Sequence, residues 1–304
     1  MSISYAPAKA ILFGEHAVVY GEPAIAIPIH SVETQASFVS YDNSDQNGFK
    51  IISPNINMNT SFENIPIEHP LKKLCLLLQD IIQFKHFPEK ALVINSTIPI
   101  ASGLGSSAAS SVAVIKAFSE EYNANLTTQG ISDIAFEIER IYHGHPSGID
   151  NTVVSYNQPV YFKKGSPFSK IDLHHQLNLI IAYTGIHSKT SDSVEEVRKH
   201  FDEYKETIHD IGLITDEGKS ALLDNNIQNL GNLMYKNHML LQKIDVSCSE
   251  LDRLVEAAIA HGAVGAKLTG SGRGGNIIAL SPSKEKNAEI ADALLNAGAK
   301  FVLC

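Results

Sequence analysis

Residues 99–109 read Pro-Ile-Ala-Ser-Gly-Leu-Gly-Ser-Ser-Ala-Ala, and this stretch decides the fold. It follows a strand-like apolar run at 91–98 and opens a segment rich in Ala and Ser, 106–121, that predicts a helix. Glycines let the backbone approach a ligand closely, and a helix N-terminus presents unpaired N–H groups to an anion. The stretch therefore predicts a phosphate-binding loop, with a tight strand-to-helix turn capped by serines as an equally good interpretation of these residues alone.

The loop differs from two common nucleotide-binding loops. It lacks the Gly-Lys-Ser/Thr ending of a P-loop. It fits the G-x-G-x-x-A variant of the dinucleotide-binding motif, but no acidic residue at a strand end follows about 20 residues later. A dehydrogenase of the Rossmann type is therefore a weak alternative, which titration with NAD would test.

Composition limits the class of protein. The 304 residues carry a net charge of −9, from 24 basic and 33 acidic side chains, and their number predicts two domains. The acidic balance argues against nucleic acid and anionic membranes as partners, because both attract a basic surface. Three cysteines without a C-x-x-C pair predict reduced thiols rather than a disulfide framework or a zinc cluster. With no signal peptide and no membrane-length apolar run in the sequence, we expect a cytoplasmic protein.

Hydrophobic periodicity predicts the elements around the loop. Alternation over 32–38 predicts a strand, and the turn-forming residues 42–48 predict a hairpin after it. Apolar residues at steps of three and four predict helices over 71–82 and 131–142. A Pro-Ser-Gly turn is expected to place Asp150 at the start of a strand. A polar connection at 163–167 puts the predicted boundary between domains 1–167 and 168–304.

Three further segments carry residues suited to catalysis. Residues 7–21 contain Lys9 and end in a Gly-Glu-His-Ala-Val-Val-Tyr-Gly turn, and residues 139–151 contain Glu139 and Asp150. Residues 267–276 form a glycine loop between strand-like runs. Two carboxylates near a phosphate loop fit a magnesium ligand and a general base, whereas two histidines in 143–145 are a weak zinc signal. Each of these features also has an ordinary structural interpretation. Lys9 fits a solvated edge residue, His16 fits a structural histidine, and residues 267–276 fit a bulged hairpin.

Taken in this order, the segments resemble the galactokinase–homoserine kinase–mevalonate kinase–phosphomevalonate kinase (GHMP) superfamily. Residues 14–21 and 143–151, His-Gly-His-Pro-Ser-Gly-Ile-Asp-Asn, are similar to the mevalonate kinase family within it. Galactokinases would carry Thr-Asp-Tyr after Gly-Glu-His, and homoserine kinases lack the Gly-Glu-His step. The resemblance implies an α+β fold, with an N-terminal α/β domain containing a left-handed β-α-β phosphate-binding unit and a ferredoxin-like C-terminal domain.

The resemblance also implies an activity, the phosphorylation of the 5-hydroxyl of mevalonate by ATP with Mg²⁺. Asp150 then takes the proton of the substrate hydroxyl, and Lys9 polarises that hydroxyl and the transferring phosphate. Ser107 and Glu139 match the magnesium ligands. The residues that match the mevalonate pocket are Glu15, His16, Asp150 and Thr184. Those that match the ATP site are Asn55, Pro99, Ala101, Ser102, Gly103, Leu104, Gly105, Ser106 and Ser107.

Four residues depart from the family pattern. Arg273 and Asn276 stand where the family usually has Gly and Cys, His145 where Asn is frequent, and Tyr183 where Asp is common. The last two concern the substrate side, so one alternative stays open: the same chemistry on another alcohol or phosphorylated isoprenoid precursor. A nucleotide-binding module without catalysis is a separate alternative, which the presence of both charged catalytic positions disfavours. Mevalonate and ATP are the expected partners, with a homodimer as the assembly to test.

Overall fold

The computed structural model describes residues 2–41, 48–99, 102–143, 146–173, 175–188 and 190–304, without the side chains of 142, 143, 190 and 191. Packing divides the chain into two compact units. The first comprises Met1–Ala8, Val32–Ile100 and Gly105–Asn157, and the second comprises Lys9–Ser31, Ala101–Leu104 and Gln158–Cys304. The predicted boundary after residue 167 stays a prediction, because compactness does not by itself delimit inherited domains.

The described strands, in chain order, are β1 (Ser4–Phe13), β2 (Pro23–Ser40), β3 (Lys50–Ser53), β4 (Met58–Ser61), β5 (Lys90–Ser96), β6 (Val160–Lys163), β7 (Ser169–Lys170), β8 (Leu179–Tyr183), β9 (Gly265–Thr269), β10 (Asn276–Leu280) and β11 (Phe301–Leu303). The described α-helices are α1 (Pro70–Ile82), α2 (Ser106–Glu121), α3 (Thr128–His143), α4 (Ile149–Tyr156), α5 (Thr190–Lys199), α6 (Phe201–Leu223), α7 (Ile227–Lys243), α8 (Ser249–Ala260) and α9 (Asn287–Asn296). Among the described residues, no helix combines the length and the apolar character needed to cross a membrane.

The first unit packs helices on a mixed sheet of order β4-β3-β5-β2. β5 runs parallel to β3 and antiparallel to the second half of β2, from Thr34 opposite Ser96 to Ser40 opposite Lys90. Helix α2 is central, since it packs against α1, α3, α4 and β5 and buries apolar side chains around most of its circumference. This arrangement corrects the hairpin predicted after β2, because β5 lies between β2 and β3. The turn residues 42–47 lie outside the described part of the chain.

Helix α4 corrects a second expectation. Asp150 lies in the first turn of a helix rather than at the start of a strand, with Gly148 at the N-cap position. The segment is helical because Ile149, Val153 and Val154 are buried at helical spacing against the bundle, where α4 packs on α2 and α3. A run of only eight residues carries too little periodicity for the sequence to distinguish the two structures.

The second unit contains a four-stranded antiparallel sheet of order β11-β8-β10-β9. In chain order, β8 is followed by helices α5–α8, then by the β9–β10 pair, and finally by α9 and β11. This β-α-β-β-α-β arrangement is ferredoxin-like, and it confirms the predicted C-terminal fold. Helices α7, α8 and α9 pack against this sheet, and β6 and β7 extend from the first residues of β2 in the same unit.

Candidate functional site

The glycine loop leads from β5 into α2, as predicted. Gly105 is the N-cap residue of α2 in a left-handed conformation, with φ of 74°, and no side chain hydrogen-bonds as a cap there. Glycine is favoured in this conformation, and the first N–H groups of the helix are left for an anion. Pro99, Ser106 and Ser107 are half-buried, and Gly103 is exposed; Ala101 lies outside the described residues.

The middle of the loop is held by two strands within the second unit. The backbone N–H of Lys9 on β1 donates to the carbonyl oxygen of Leu104 at 3.0 Å. The side-chain amide of Asn276, the first residue of β10, donates to the carbonyl oxygen of Ser102. Lys9 is 5% exposed, so it is a buried residue of β1 and not a solvated residue at a strand edge. The structure thus brings Lys9 beside the predicted phosphate loop.

Within the first unit, three packed helices carry the predicted oxygen-bearing side chains. Ser107 is in the first turn of α2, Glu139 is near the end of α3, and Asp150 is in the first turn of α4. Asn151 docks α4 on α3, because its side-chain amide donates to the carbonyl and hydroxyl oxygens of Ser132 at 3.0 and 2.9 Å. Glu139 is buried, at 3% exposure, whereas Ser107 and Asp150 are half-buried.

The Gly14–His16 turn follows β1 and has a strained backbone. His16 adopts a φ of 59°, which is uncommon for a residue with a side chain. Its Nε2 lies 2.9 Å from the carbonyl oxygen of Ser271, so Nε2 carries the proton and donates, which leaves Nδ1 as an acceptor in the neutral ring. Among the described residues, Nδ1 is buried and has no hydrogen-bond partner.

Burial lowers the pKa of His16 to about 4; the bond to Ser271 opposes this shift, and the positive charge of Arg273 adds to it. The ring is therefore neutral near pH 7. A neutral imidazole with a buried acceptor nitrogen suits a hydrogen bond from a hydroxyl group.

The carboxylate of Glu15 points into the second unit. One of its oxygens accepts from the Lys267 ammonium group on β9, and the other accepts from the side-chain amide of Asn237 on α7 at 3.2 Å. The side chains of Glu15 and Lys267 are both fully buried. Burial raises the pKa of Glu15 and lowers that of Lys267, and the attraction between the two opposes both shifts. Sequence reasoning missed Lys267 and Asn237, because no local motif links residues 252 and 222 positions apart from Glu15.

Two predicted ligand-binding side chains make scaffold contacts. Thr184 donates its hydroxyl to the carbonyl oxygen of Gly275 at 2.9 Å, which ties the end of β8 to the loop between β9 and β10. Asn55 exchanges two hydrogen bonds with the backbone of Ser96, at 2.6 and 2.8 Å, and so holds the turn after β3 to the end of β5. Their contacts with substrate and nucleotide stay predictions.

Comparison with known proteins decides the family. Residues 71–158 match the profile described as the GHMP kinases N terminal domain, and residues 219–300 match that of the GHMP kinases C terminal domain. A mevalonate kinase from Thermococcus sibiricus is 35% identical over 97% of this chain and 93% of its own length. The chain belongs to the mevalonate kinase family of GHMP kinases.

Solved mevalonate kinase structures share the whole fold. The L. major mevalonate kinase, in complex with R-mevalonate, superposes with a TM-score of 0.85 at 31% identity, covering 99% of this chain and 94% of that one. The Methanococcus jannaschii mevalonate kinase gives a TM-score of 0.84 at 31% identity, covering 99% of this chain and 96% of that one. The predicted family and its two-part α+β fold are thus confirmed.

Two departures from the mevalonate kinase pattern are accommodated by local packing. Tyr183 is buried at the end of β8, where its ring stacks on Phe301 of the adjacent β11 with 5.1 Å between centroids. Its hydroxyl lies 3.2 Å from Nδ1 of His187. Arg273 ties the loop between β9 and β10 to the turn after α7, since its guanidinium group donates to the carbonyl oxygen and the carboxylate of Asp245 at 2.9 and 2.7 Å. The departure at His145 lies outside the described residues.

The donor set fits the predicted magnesium ion. Ser107 and Glu139 offer oxygen atoms, the ligands that Mg²⁺ prefers, and Mg²⁺ usually takes one or two protein carboxylates together with phosphate oxygens. Within the described ranges, no three His, Cys, Asp or Glu side chains converge as a metal site of their own. This donor set is therefore compatible with an ion held jointly by protein and nucleotide, and the two ligands stay a prediction.

Proposed function

We propose that this chain transfers the γ-phosphate of ATP to the 5-hydroxyl of mevalonate and releases 5-phosphomevalonate. The observation that carries the proposal is the relation to mevalonate kinases over 97% of the chain at 35% identity. The uncapped N-terminus of α2 and the buried Lys9 support it, because they supply the anion-binding dipole and the positive charge that phosphoryl transfer requires.

In this proposal, the chain's own residues position the reactants and stabilise charge. Asp150 accepts the proton of the substrate hydroxyl, and Lys9 stabilises the negative charge that develops on the transferring phosphoryl group. The backbone from Gly103 to Ser107, flanked by Pro99 and Ala101, binds the ATP phosphates, with Asn55 contacting the nucleotide. His16, Glu15 and Thr184 line the mevalonate pocket. Magnesium, held by Ser107 and Glu139 and the nucleotide, supplies further charge neutralisation when bound.

The decisive experiment is an ADP-release assay with mevalonate, run beside phosphomevalonate, galactose and homoserine, with the product identified by its mass. We expect kcat/KM for mevalonate to exceed the others by at least about 100-fold, because hydrogen-bonded pockets reject analogues that leave their polar groups unpaired. No turnover with mevalonate would overturn the proposal.

A substitution at Asp150 tests its proposed role as the base. Asp150→Asn is expected to lower kcat by about 10²- to 10⁴-fold, because the amide cannot accept the hydroxyl proton, while ATP affinity changes less than about threefold. Asp133→Asn, at an exposed position on α3, is the matched control and should leave both constants unchanged. Near-normal turnover of Asp150→Asn would show that Asp150 is not the base.

A second candidate function rests on Tyr183, which replaces the aspartate common in the family: the same transfer to a related alcohol or phosphorylated isoprenoid precursor. The assay above separates this candidate by its preferred acceptor. A homodimer and a cytoplasmic location complete the proposal. Light scattering on the purified protein and fractionation of cells that express it test these two points.

A further inference from the structure

The buried pair of Glu15 and Lys267 joins the turn that carries His16 to strand β9. Lys267 also donates to the carbonyl oxygen of Leu268 at 2.6 Å, and Asn237 completes the contacts of the carboxylate. Both oxygens of Glu15 are therefore occupied by protein donors. Its charge is paired with Lys267, and the side chain is fully buried, so the carboxylate is not exposed to a substrate hydroxyl.

Strand β9 anchors β1 at two points. The hydroxyl of Thr269 bonds both the N–H and the carbonyl group of Ile11, at 3.0 and 2.9 Å. Lys267 lies two residues earlier on the same strand, so its side chain projects to the same face as that of Thr269 and meets Glu15. β9 thus determines the position of both the end of β1 and the turn after it.

Stability alone is a weak explanation for such a pair. Taking two charges out of water costs much of what their attraction returns, and replacement of buried ion pairs by apolar residues is often neutral or stabilising. The pair lies next to a residue in a strained conformation, His16, whose ring is bonded to Ser271 on the other side. An anchor on Glu15 is what keeps such a conformation from relaxing.

We propose that Lys267 is a positioning residue of the substrate pocket, which holds Glu15, and with it the Gly14–His16 turn, in place and thereby fixes the ring of His16. The proposal rests on the proposed function and refines it, because Glu15 acts through its buried pair and not as a direct ligand of mevalonate. Asn237 assists as the second donor to the carboxylate.

A double-mutant cycle tests this with Glu15→Gln, Lys267→Met and the variant that carries both. Each single change should raise KM for mevalonate about tenfold or more, with KM for ATP within about threefold of wild type. The double variant should match the worse single variant within about threefold, because both changes break the same contact and the double leaves no unpaired buried charge. Lys236→Met, exposed on the same helix as Asn237, is the control and should behave as wild type.

If KM for mevalonate in the double variant rises by the product of the two single effects, roughly 100-fold, Glu15 and Lys267 act independently, and this result would overturn the inference. A folded Lys267→Met with wild-type constants would do the same. If Lys267→Met does not fold, the double variant is compared with Glu15→Gln alone: equal constants support the inference, and a further tenfold loss contradicts it. Absence of wild-type turnover with mevalonate would instead overturn the proposed function, and the inference with it.

Discussion

Nε2 of His16 donates to the carbonyl oxygen of Ser271 at 2.9 Å, across a separation of 255 residues. The bond joins the turn after β1 to the loop between β9 and β10, two segments that the sequence presents as separate motifs. It also selects one tautomer of the ring, because a carbonyl oxygen only accepts. The consequences of this contact can be measured as a function of pH.

Acid should weaken the fold through His16. Burial lowers its pKa from the ordinary 6.5 to about 4, so below pH 6.5 the unfolded chain binds a proton that the folded chain does not. The free energy of unfolding should therefore fall as the pH drops from 6.5 to 4, by up to about 3 kcal/mol from this group.

His16→Gln isolates this contribution. The difference in unfolding free energy between wild type and His16→Gln should shrink as the pH falls from 7 to 4, as measured by urea denaturation at several pH values. His238, whose pKa burial also lowers to about 4, is present in both proteins and cancels in the comparison. His86→Gln, at an exposed position, is the control. A difference that does not change with pH would contradict the prediction.

Gly14 should not tolerate a side chain. Its φ is +90°, and a Cβ atom there would lie 2.3 Å from the carbonyl oxygen of Pro23 and 2.6 Å from Cα of Ala24. Gly14→Ala should destabilise the protein by about 3 kcal/mol or more, because backbone atoms must move in addition to the left-handed strain. Gly165→Ala, with φ of +79° and open space around the site, carries the strain alone and should cost about 1 kcal/mol. Equal denaturation midpoints for the two variants would refute the argument.

Arg273 should respond differently to Gly and to Ala. Its φ is +54°, and its guanidinium group bonds Asp245, whose side chain is 77% exposed. Such an exposed pair contributes at most about 1 kcal/mol, and glycine would recover a similar amount of left-handed strain. Arg273→Gly should thus leave the unfolding free energy within about 0.5 kcal/mol of wild type. Arg273→Ala loses the same pair and keeps the strain, so its unfolding free energy should be about 1 kcal/mol below that of wild type. The reverse order in thermal or urea denaturation would disprove the strain at this position.

Magnesium dependence should report on Ser107 and Glu139. Ser107→Ala removes one proposed oxygen ligand and Glu139→Gln removes the charge of the other, so the Mg²⁺ concentration that gives half-maximal turnover should rise by about tenfold or more. Glu139→Gln should have the larger effect, because it removes a charge from a buried site. Ser110→Ala, one turn further along α2, is the control. Unchanged Mg²⁺ dependence in both variants would show that Ser107 and Glu139 do not bind the ion.

Local pattern predicted the helices well and the strand neighbours poorly. The first helical residue of α2 is Ser106, as expected, because the Gly-Ser boundary and the apolar run after it are both local signals. The place of β5 between β2 and β3 is not local, since its pairing partners lie 41 residues away in β3 and 50 to 62 residues away in β2. The expectation that Asp150 starts a strand is wrong for a related reason, because the burial that makes α4 a helix comes from α2 and α3.

The sequence by itself determined the family, the glycine loop that leads into α2 and the residue types predicted to serve phosphoryl transfer, because short contiguous motifs carry all three. Tertiary structure alone decided which partners those residues have. Glu15 meets Lys267, and His16 meets Ser271, over separations of more than 250 residues. The physical reason is that hydrogen bonding and desolvation depend on distance and burial in space, and no local pattern along the chain encodes either.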